Sequence, residues 1–167
     1  MDLFILRHAI AVERGTPGYE KDSDRPLTEK GEKKMYEIAE GMRALKIKPD
    51  LILSSPFARA RRTAEIAAEV LRCKKRLVFS DTLATTAEPK DVINELMTHY
   101  ADRESIMLVG HEPYLSDLIS TLTTDDGDLS VTMKKGGLCK LTVGTLVDGR
   151  CATLECLLTP RNLTQIR

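Results

Sequence analysis

Three short, uninterrupted apolar runs constrain this chain more than any other feature: Leu3-Phe4-Ile5-Leu6, Leu51-Ile52-Leu53 and Ile106-Met107-Leu108-Val109. A strand with one wet face alternates apolar and polar residues, whereas a strand apolar at every position is covered on both faces, as in a parallel sheet between helical layers. The intervening segments agree. After Thr28, a good N-cap residue, Met35, Ile38, Ala39, Met42 and Leu45 recur at the three-to-four spacing of one helix face. Pro49-Asp50 ends that pattern, and a second helix is expected from Phe57 to Leu71 with Ala60, Ala64, Ala67, Ala68 and Leu71 turned inward. Leu77-Val78-Phe79 reads as a further strand, residues 81–89 as a loop, and Pro89 to Tyr100 as a helix carrying Val92, Ile93, Leu96 and Met97. Another helix runs from Pro113 to Thr121 and leads into the acidic loop Asp125-Asp126-Gly127-Asp128. Leu138 to Val143 and Ala152 to Leu158, joined through Asp148-Gly149, have the form of a hairpin. The expectation is a three-layer α/β/α fold: a single mostly parallel sheet with helices on both faces and a C-terminal antiparallel hairpin edge. With 167 residues and no internal repeat or linker, one domain is expected to span 1–167.

Composition removes several function classes. No apolar run approaches the ~18 residues of a membrane span, and the N-terminal MDLFILRHAIAVERG lacks the organisation of a signal peptide. The 25 basic residues balance 25 acidic ones, against the basic excess expected of a nucleic-acid binder. Their distribution is uneven: residues 30–76 carry 13 basic and 6 acidic side chains, residues 77–130 carry 2 and 11. Solvated helix faces account for this, and a positive side that attracts an anion is the sharper reading. Cys73, Cys139, Cys151 and Cys156 form no C-x-x-C pair; they read as small hydrophobes, and a reducing cytoplasm is the expected location. The Cys-to-Arg spacing of a cysteine-based phosphatase loop is not met, Cys156 and Arg161 being five apart.

In open α/β sheets ligands bind beyond the carboxyl ends of the strands. Arg7-His8 follows the first run, Ser54-Ser55-Pro56 the second with Arg59 in the next helical turn, and Gly110-His111 the third. Two of the three histidines and two arginines therefore meet at one edge. His99 lies on a helix, and Arg61 and Arg62 read as solvated charges. Each member alone is a weak signal, but the four together, without carboxylate partners in those strand-end tripeptides, would repel one another. At an effective dielectric of ~20, unit charges ~4 Å apart interact by about 4 kcal/mol. A bound dianion reverses that cost, and planar arginine forks match phosphate oxygens, so a pocket for phosphate or another oxyanion is expected. No P-loop, dinucleotide fingerprint, nucleophile elbow or zinc helix is present, and no metal or cofactor is expected.

Leu6-Arg7-His8-Ala9 resembles the Arg-His-[Gly/Ala] signature of the histidine phosphatase superfamily. Ser54-Ser55-Pro56-Phe57-Ala58-Arg59-Ala60-Arg61-Arg62-Thr63-Ala64 is similar to its S-x-P-x-x-R-A-x-Q-T-A block, with Arg62 where Gln is usual. Val109-Gly110-His111-Glu112-Pro113 resembles its G-H block, and Arg25-Pro26-Leu27-Thr28-Glu29-Lys30-Gly31 its R-x-L-T-x-x-G segment. The short chain, the lack of cap insertions and Arg-His-Ala most resemble the SixA-type phosphohistidine phosphatases, within the phosphoglycerate mutase-like fold.

The resemblance implies that His8 is the nucleophile, forming a phosphohistidine intermediate hydrolysed by water, and that Arg7, Arg59 and His111 hold the phosphoryl group. On this reading His8 attacks as neutral imidazole and His111 is better employed protonated; Ser54 and Ser55 order the loop or touch substrate. The mutase branch carries a glutamate acid in an L-x-E context, whereas here Leu83 is followed by Ala84-Thr85. Glu88 is the possible general acid left in that loop, its alternative being a helix N-terminal charge. A site without a strong acid suits a leaving imidazole, whose pKa is about 6.5, better than an alkoxide. The implied partner is a phosphohistidine-containing phosphotransfer protein or domain in the cytoplasm, reached through a pocket without an evident lid, with no nucleic acid and no membrane involved. A small-molecule phosphomonoesterase and a non-catalytic phosphate-binding module are the alternatives. Lys134-Lys135-Gly136-Gly137 reads as a strand entry with solvated lysines.

Overall fold

The computed structural model describes residues 1–166. The apolar runs form β1 (Asp2–Arg7), β2 (Leu51–Ser54) and β4 (Ser105–Gly110), and β3 (Leu77–Phe79), β5 (Leu138–Val143) and β6 (Ala152–Leu158) complete one six-stranded sheet. Its order is β3-β2-β4-β1-β5-β6. The first four strands in that order are parallel, and β5 and β6 run antiparallel at the far side. The expected mixed sheet and its hairpin edge are therefore present, with a bulge between Lys140 and Leu141. β3 lies at the opposite edge, with Val78 and Phe79 exposed.

Alternation along β1 divides the core in two. Leu3 and Ile5 point to one face, with Leu51, Leu53, Ile106 and Leu108, against α3 (Pro89–His99) and α4 (Tyr114–Thr123). Phe4 and Leu6 point to the other, with Ile52, Met107 and Val109, against α1 (Glu29–Ala44) and α2 (Ala58–Val70). Full burial of each large side chain contributes about 1.5–3 kcal/mol, which is why runs apolar at every position are confined to the sandwiched strands.

The helices start where the sequence places their caps. Thr28 Oγ1 accepts the Gly31 N–H at 2.9 Å. A Cβ on Gly31 would lie 1.9 Å from the Ile10 carbonyl oxygen, so a side chain there is incompatible with the approach of α1 to the chain after β1. The buried alanines Ala60, Ala64, Ala67 and Ala68 let α2 pack closely. Leu71 is the C-cap of α2 and only partly buried. The sequence reading left the end of the chain unassigned, but Pro160–Gln165 forms a short helix, α5. Thr159 Oγ1 accepts the Asn162 N–H, Asn162 Oδ1 accepts the Thr159 N–H at 2.9 Å, and Leu163 is buried against the α1 side. The 81–89 loop is likewise more ordered than expected: it holds a 3-10 turn at Asp81–Leu83, and Tyr114 Oη donates to the Thr82 carbonyl at 2.7 Å.

The topology sets the site. β1 and β4 are neighbours, yet the helix after β1 covers one face and the helix after β4 covers the other. Connections leaving adjacent strands in opposite directions open a crevice at their carboxyl ends.

Candidate active site

Register brings the predicted residues together. Arg7 pairs with Gly110, and the His8 N–H donates to the Gly110 carbonyl at 3.0 Å, which sets His8 beside His111 with ring centroids 5.2 Å apart. Ser54 ends β2 opposite Val109, and the Ser55 N–H donates to the Val109 carbonyl at 2.9 Å. Arg59 enters from the first turn of α2, whose Thr63 Oγ1 donates to the Arg59 carbonyl and accepts the Ala9 N–H at 3.0 Å. His8, Arg59 and His111 are 6%, 3% and 1% exposed, so their charge states are set by their neighbours rather than by solvent.

The hydrogen bonds fix how these groups face. His8 Nδ1 lies 2.7 Å from the Ala9 carbonyl oxygen. A carbonyl only accepts, so Nδ1 carries the proton and Nε2 holds the lone pair. Burial pushes the His8 pKa down to about 3; the Ala9 hydrogen bond opposes this, while His111, Arg59 and Arg7 add to it. His8 is thus neutral at neutral pH, as a nucleophilic imidazole must be. His111 Nε2 lies 2.9 Å from Ser55 Oγ. Burial, followed by the charge of Arg59, takes His111 to about 3 as well, so at neutral pH it is neutral rather than protonated.

Four buried atoms in this region have no hydrogen-bond partner: Arg7 Nε, Arg59 Nε, His111 Nδ1 and Glu112 Oε1. Arg7 is otherwise tied down, with Nη1 donating to the Met133 carbonyl at 2.6 Å. Buried polar atoms are nearly always paired. Three of the four are nitrogens on residues whose charge or ring lies within reach of the His8 imidazole, an arrangement suited to an acceptor-rich ligand.

The structure also adds partners that the sequence did not announce. Arg59 has a carboxylate partner: Nη1 donates to the Asp22 carbonyl at 2.6 Å and Nη2 to Asp22 Oδ2 at 2.8 Å. The bare repulsion among the four is therefore smaller than their charges alone imply, and the polar segment before α1 reaches Arg59 through Asp22. Arg25 grips the same carboxylate through Nε and Nη2, at 3.0 and 2.7 Å from Asp22 Oδ1. Glu88 is the N-cap of α3, exposed and paired with Lys90 at 2.6 Å, the contacts of a helix-end charge. Glu112, which the sequence offered only as part of the G-H motif, faces Arg7 electrostatically; burial raises its carboxyl pKa, and Oε2 accepts from Ser116 Oγ at 2.5 Å. Arg62 is not simply solvated, since it forks onto Glu32 at 2.8 and 3.1 Å, and Arg61 stacks over Phe79 at 4.6 Å.

Lys134–Gly137 also acquires a role. The Gly136 N–H donates to both the Arg7 and His8 carbonyls at 3.1 Å, and the Arg7 N–H donates to the Gly137 carbonyl at 3.1 Å. Gly136 has φ +78, and a Cβ there would lie 2.7 Å from Ile38 Cδ1, so this clamp requires glycine. His99 is an exposed helix-end residue, Ser54 is buried, and all four cysteines are free, with burial pushing Cys139 up to about 12. No group of three His, Cys, Asp or Glu side chains converges as metal ligands among the described residues, and none of their helices is long and apolar enough to cross a membrane. A concavity of 580 Å³ lies at the other end of the sheet, around Asp2, Lys46, Ser105 and Lys140, and Arg7, His8, Arg59 and His111 do not line it.

An α/β sheet whose topological crevice holds a half-buried arginine next to a buried histidine, with a second arginine and a second histidine both buried, defines an anion-handling fold suited to phosphoryl groups. The chain belongs to the histidine phosphatase superfamily (branch 1), whose family model matches residues 3–85. The structure of the protein histidine phosphatase SixA complexed with tungstate superposes with a TM-score of 0.84 at 24% identity, over 98% of this chain and 99% of that one. A candidate phosphohistidine phosphatase SixA from Agrobacterium tumefaciens superposes with a TM-score of 0.78 at 28% identity, over 95% and 97% of the two chains. In sequence, a candidate phosphoglycerate mutase GpmB of Erwinia tasmaniensis is 33% identical over 73 residues, which is 44% of this chain and 33% of the mutase.

Proposed function

We propose that the protein is a phosphohistidine phosphatase acting on a phosphohistidine-bearing protein of the phosphotransfer type, with His8 as the nucleophile. One observation carries the reading: the Nδ1 contact to the Ala9 carbonyl leaves the His8 Nε2 lone pair free, on a ring beside His111 and within electrostatic reach of Arg7 and Arg59, and Arg7 Nε, Arg59 Nε and His111 Nδ1 are buried without partners. Three donors suit the three equatorial oxygens of a transferring phosphoryl group, whose catalysis is mostly positioning and charge stabilisation. Ser55 Oγ accepts the Phe57 N–H at 3.3 Å, so its own proton is available to His111 Nε2. His111 then carries its proton on Nδ1 and donates while neutral. A dianion bound beside it favours the protonated form further.

His8 Nε2 attacks phosphorus as the P–N bond to the substrate imidazole breaks; the leaving ring keeps the electron pair and takes a proton from solvent. Water then attacks the phosphorus of phospho-His8, the P–Nε2 bond breaks, and orthophosphate departs. An imidazole leaving group needs no strong acid, which fits a site whose loop carboxylate, Glu88, is engaged with Lys90. The likeness to SixA-type structures supports the same substrate class. The test is phosphate release from a phosphohistidine-bearing phosphotransfer domain, beside an unactivated alkyl phosphate. Wild type is expected to act on the first and only weakly on the second, with turnover abolished in His8→Ala and reduced ~10²–10³-fold in Arg59→Ala. Normal turnover in His8→Ala, or comparable kcat/KM on the alkyl ester, would overturn it.

A further inference from the structure

We propose that Asp22 is a positioning residue for phosphoryl transfer: it holds Arg59 so that the Nε–H is presented to the phosphoryl group, and Arg25 in turn holds Asp22. This rests on the reading of the pocket given above. The long polar segment before α1 contributed nothing to the sequence-based site, and Arg25 entered it only as part of a motif. In the structure the two residues build a relay into the pocket.

The Arg59 guanidinium lies over the Phe57 ring, 5.4 Å from its centroid, a contact that leaves the aim of its N–H groups unset. Asp22 takes hold of it at two points, through its backbone carbonyl on Nη1 and Oδ2 on Nη2. Two contacts on a planar group fix its rotation as well as its position. Both Nη atoms are then engaged, and the nitrogen left over is the buried, unpartnered Nε. Arg59 contributes to the depressed pKa of both His8 and His111, which places its charge within reach of both rings.

The other carboxylate oxygen is turned to Arg25, which is only 13% exposed and is itself anchored by Nη1 on the Val12 carbonyl at 2.6 Å. Arg14, 82% exposed, adds a solvent-side contact at 3.3 Å. Partial burial alone would raise the Asp22 carboxyl, but the hydrogen bonds from Arg25 and Arg59 outweigh it and hold it well below the usual carboxylate range. Asp22 could instead be an internal competitor, occupying the place of the substrate anion. The geometry favours positioning, because one of its two contacts to Arg59 is a neutral carbonyl and the nitrogen nominated for substrate is left free.

The two roles predict opposite signs. Asp22→Ala, Asp22→Asn and Arg25→Met are compared with wild type for vanadate affinity, inorganic phosphate affinity, and kcat and KM on the phosphohistidine domain. Vanadate reports the five-coordinate geometry of transfer; phosphate reports ground-state binding. Loss of positioning is expected to lower kcat ~10–100-fold, to weaken vanadate by a similar factor, and to leave phosphate affinity and KM within about threefold. Asp22→Ala keeps only the backbone carbonyl contact, and Asp22→Asn, which restores one side-chain oxygen, recovers part of both losses. A general weakening of the fold would not separate vanadate from phosphate, and if Asp22→Ala does not fold, the Asn and Arg25 variants carry the comparison. Wild-type behaviour in Asp22→Ala overturns the proposal, as does tighter binding of both anions. A wild type that neither binds vanadate nor releases phosphate overturns the reading of the pocket itself, before any variant is measured.

Discussion

Acidification from pH 7 to pH 5 should destabilise this protein through two histidines that the fold holds neutral. His8 and His111 are both lowered to about 3 by burial, from an unfolded value of 6.5. The sign follows from linkage. Between those values the unfolded chain binds protons that the native state refuses, so native stability is fully present above pH ~6.5 and falls as pH drops towards 3. The slope there approaches 1.36 kcal/mol per pH unit for each histidine, so the step from pH 7 to pH 5 costs about 2 kcal/mol for each. That figure scarcely depends on how far below 5 the native values lie, because only the unfolded chain titrates in the interval. Glu112 works in the opposite direction: burial raises its carboxyl pKa, so the native state gains a proton there and part of the loss is offset. Urea unfolding of wild type and His8→Ala at the two pH values isolates the His8 part, since Glu112 and the cost of the mutation itself cancel in the double difference. The variant should lose about 2 kcal/mol less than wild type on acidification. Equal losses would refute a buried, neutral His8, and with it the tautomer on which the nucleophile assignment stands. Saturating vanadate, which favours charged imidazoles beside it, should shrink the wild-type loss.

Two glycine substitutions test the framework. Gly31→Ala puts a methyl 1.9 Å from the Ile10 carbonyl, and since backbone must move the expected cost is at least ~1–3 kcal/mol by chemical denaturation; a change under about 0.5 kcal/mol would contradict the observed approach. Gly136→Ala forces a side chain into the left-handed region against Ile38, costing ~1–2 kcal/mol, and displaces the clamp on the Arg7 and His8 carbonyls. Its kcat should therefore fall ~10²-fold in a folded protein, and an unchanged kcat would remove the clamp from the catalytic argument.

The sheet and the four strand-end residues were legible in the sequence because each is governed by local rules. A run apolar at every position has to be sandwiched, and a polar residue just past a parallel strand has to emerge at the carboxyl edge. Arg7, His8, Arg59 and His111 could thus be brought together from spacing alone. α5 had a legible signal in Thr159-Pro160-Arg161-Asn162, a capped helix start, but six residues carry too little periodicity to announce a helix. Asp22 and Gly136 had none of comparable strength. Asp22 sits in a polar segment without hydrophobic period, and its partner Arg59 lies 37 residues away. Gly136 matters through backbone contacts to a strand more than a hundred residues earlier, which no side-chain pattern records.

What the sequence by itself determined is the layered α/β fold, the edge at which chemistry is possible, and the residue types gathered there. Only the tertiary structure decided their states: His8 and His111 neutral, Arg59 held by Asp22, and Glu88 turned to Lys90. The reason is physical. Fold follows from hydrophobic period, which is written along the chain, whereas proton occupancy and the aim of a guanidinium depend on burial and on partners that become neighbours only once the chain has closed.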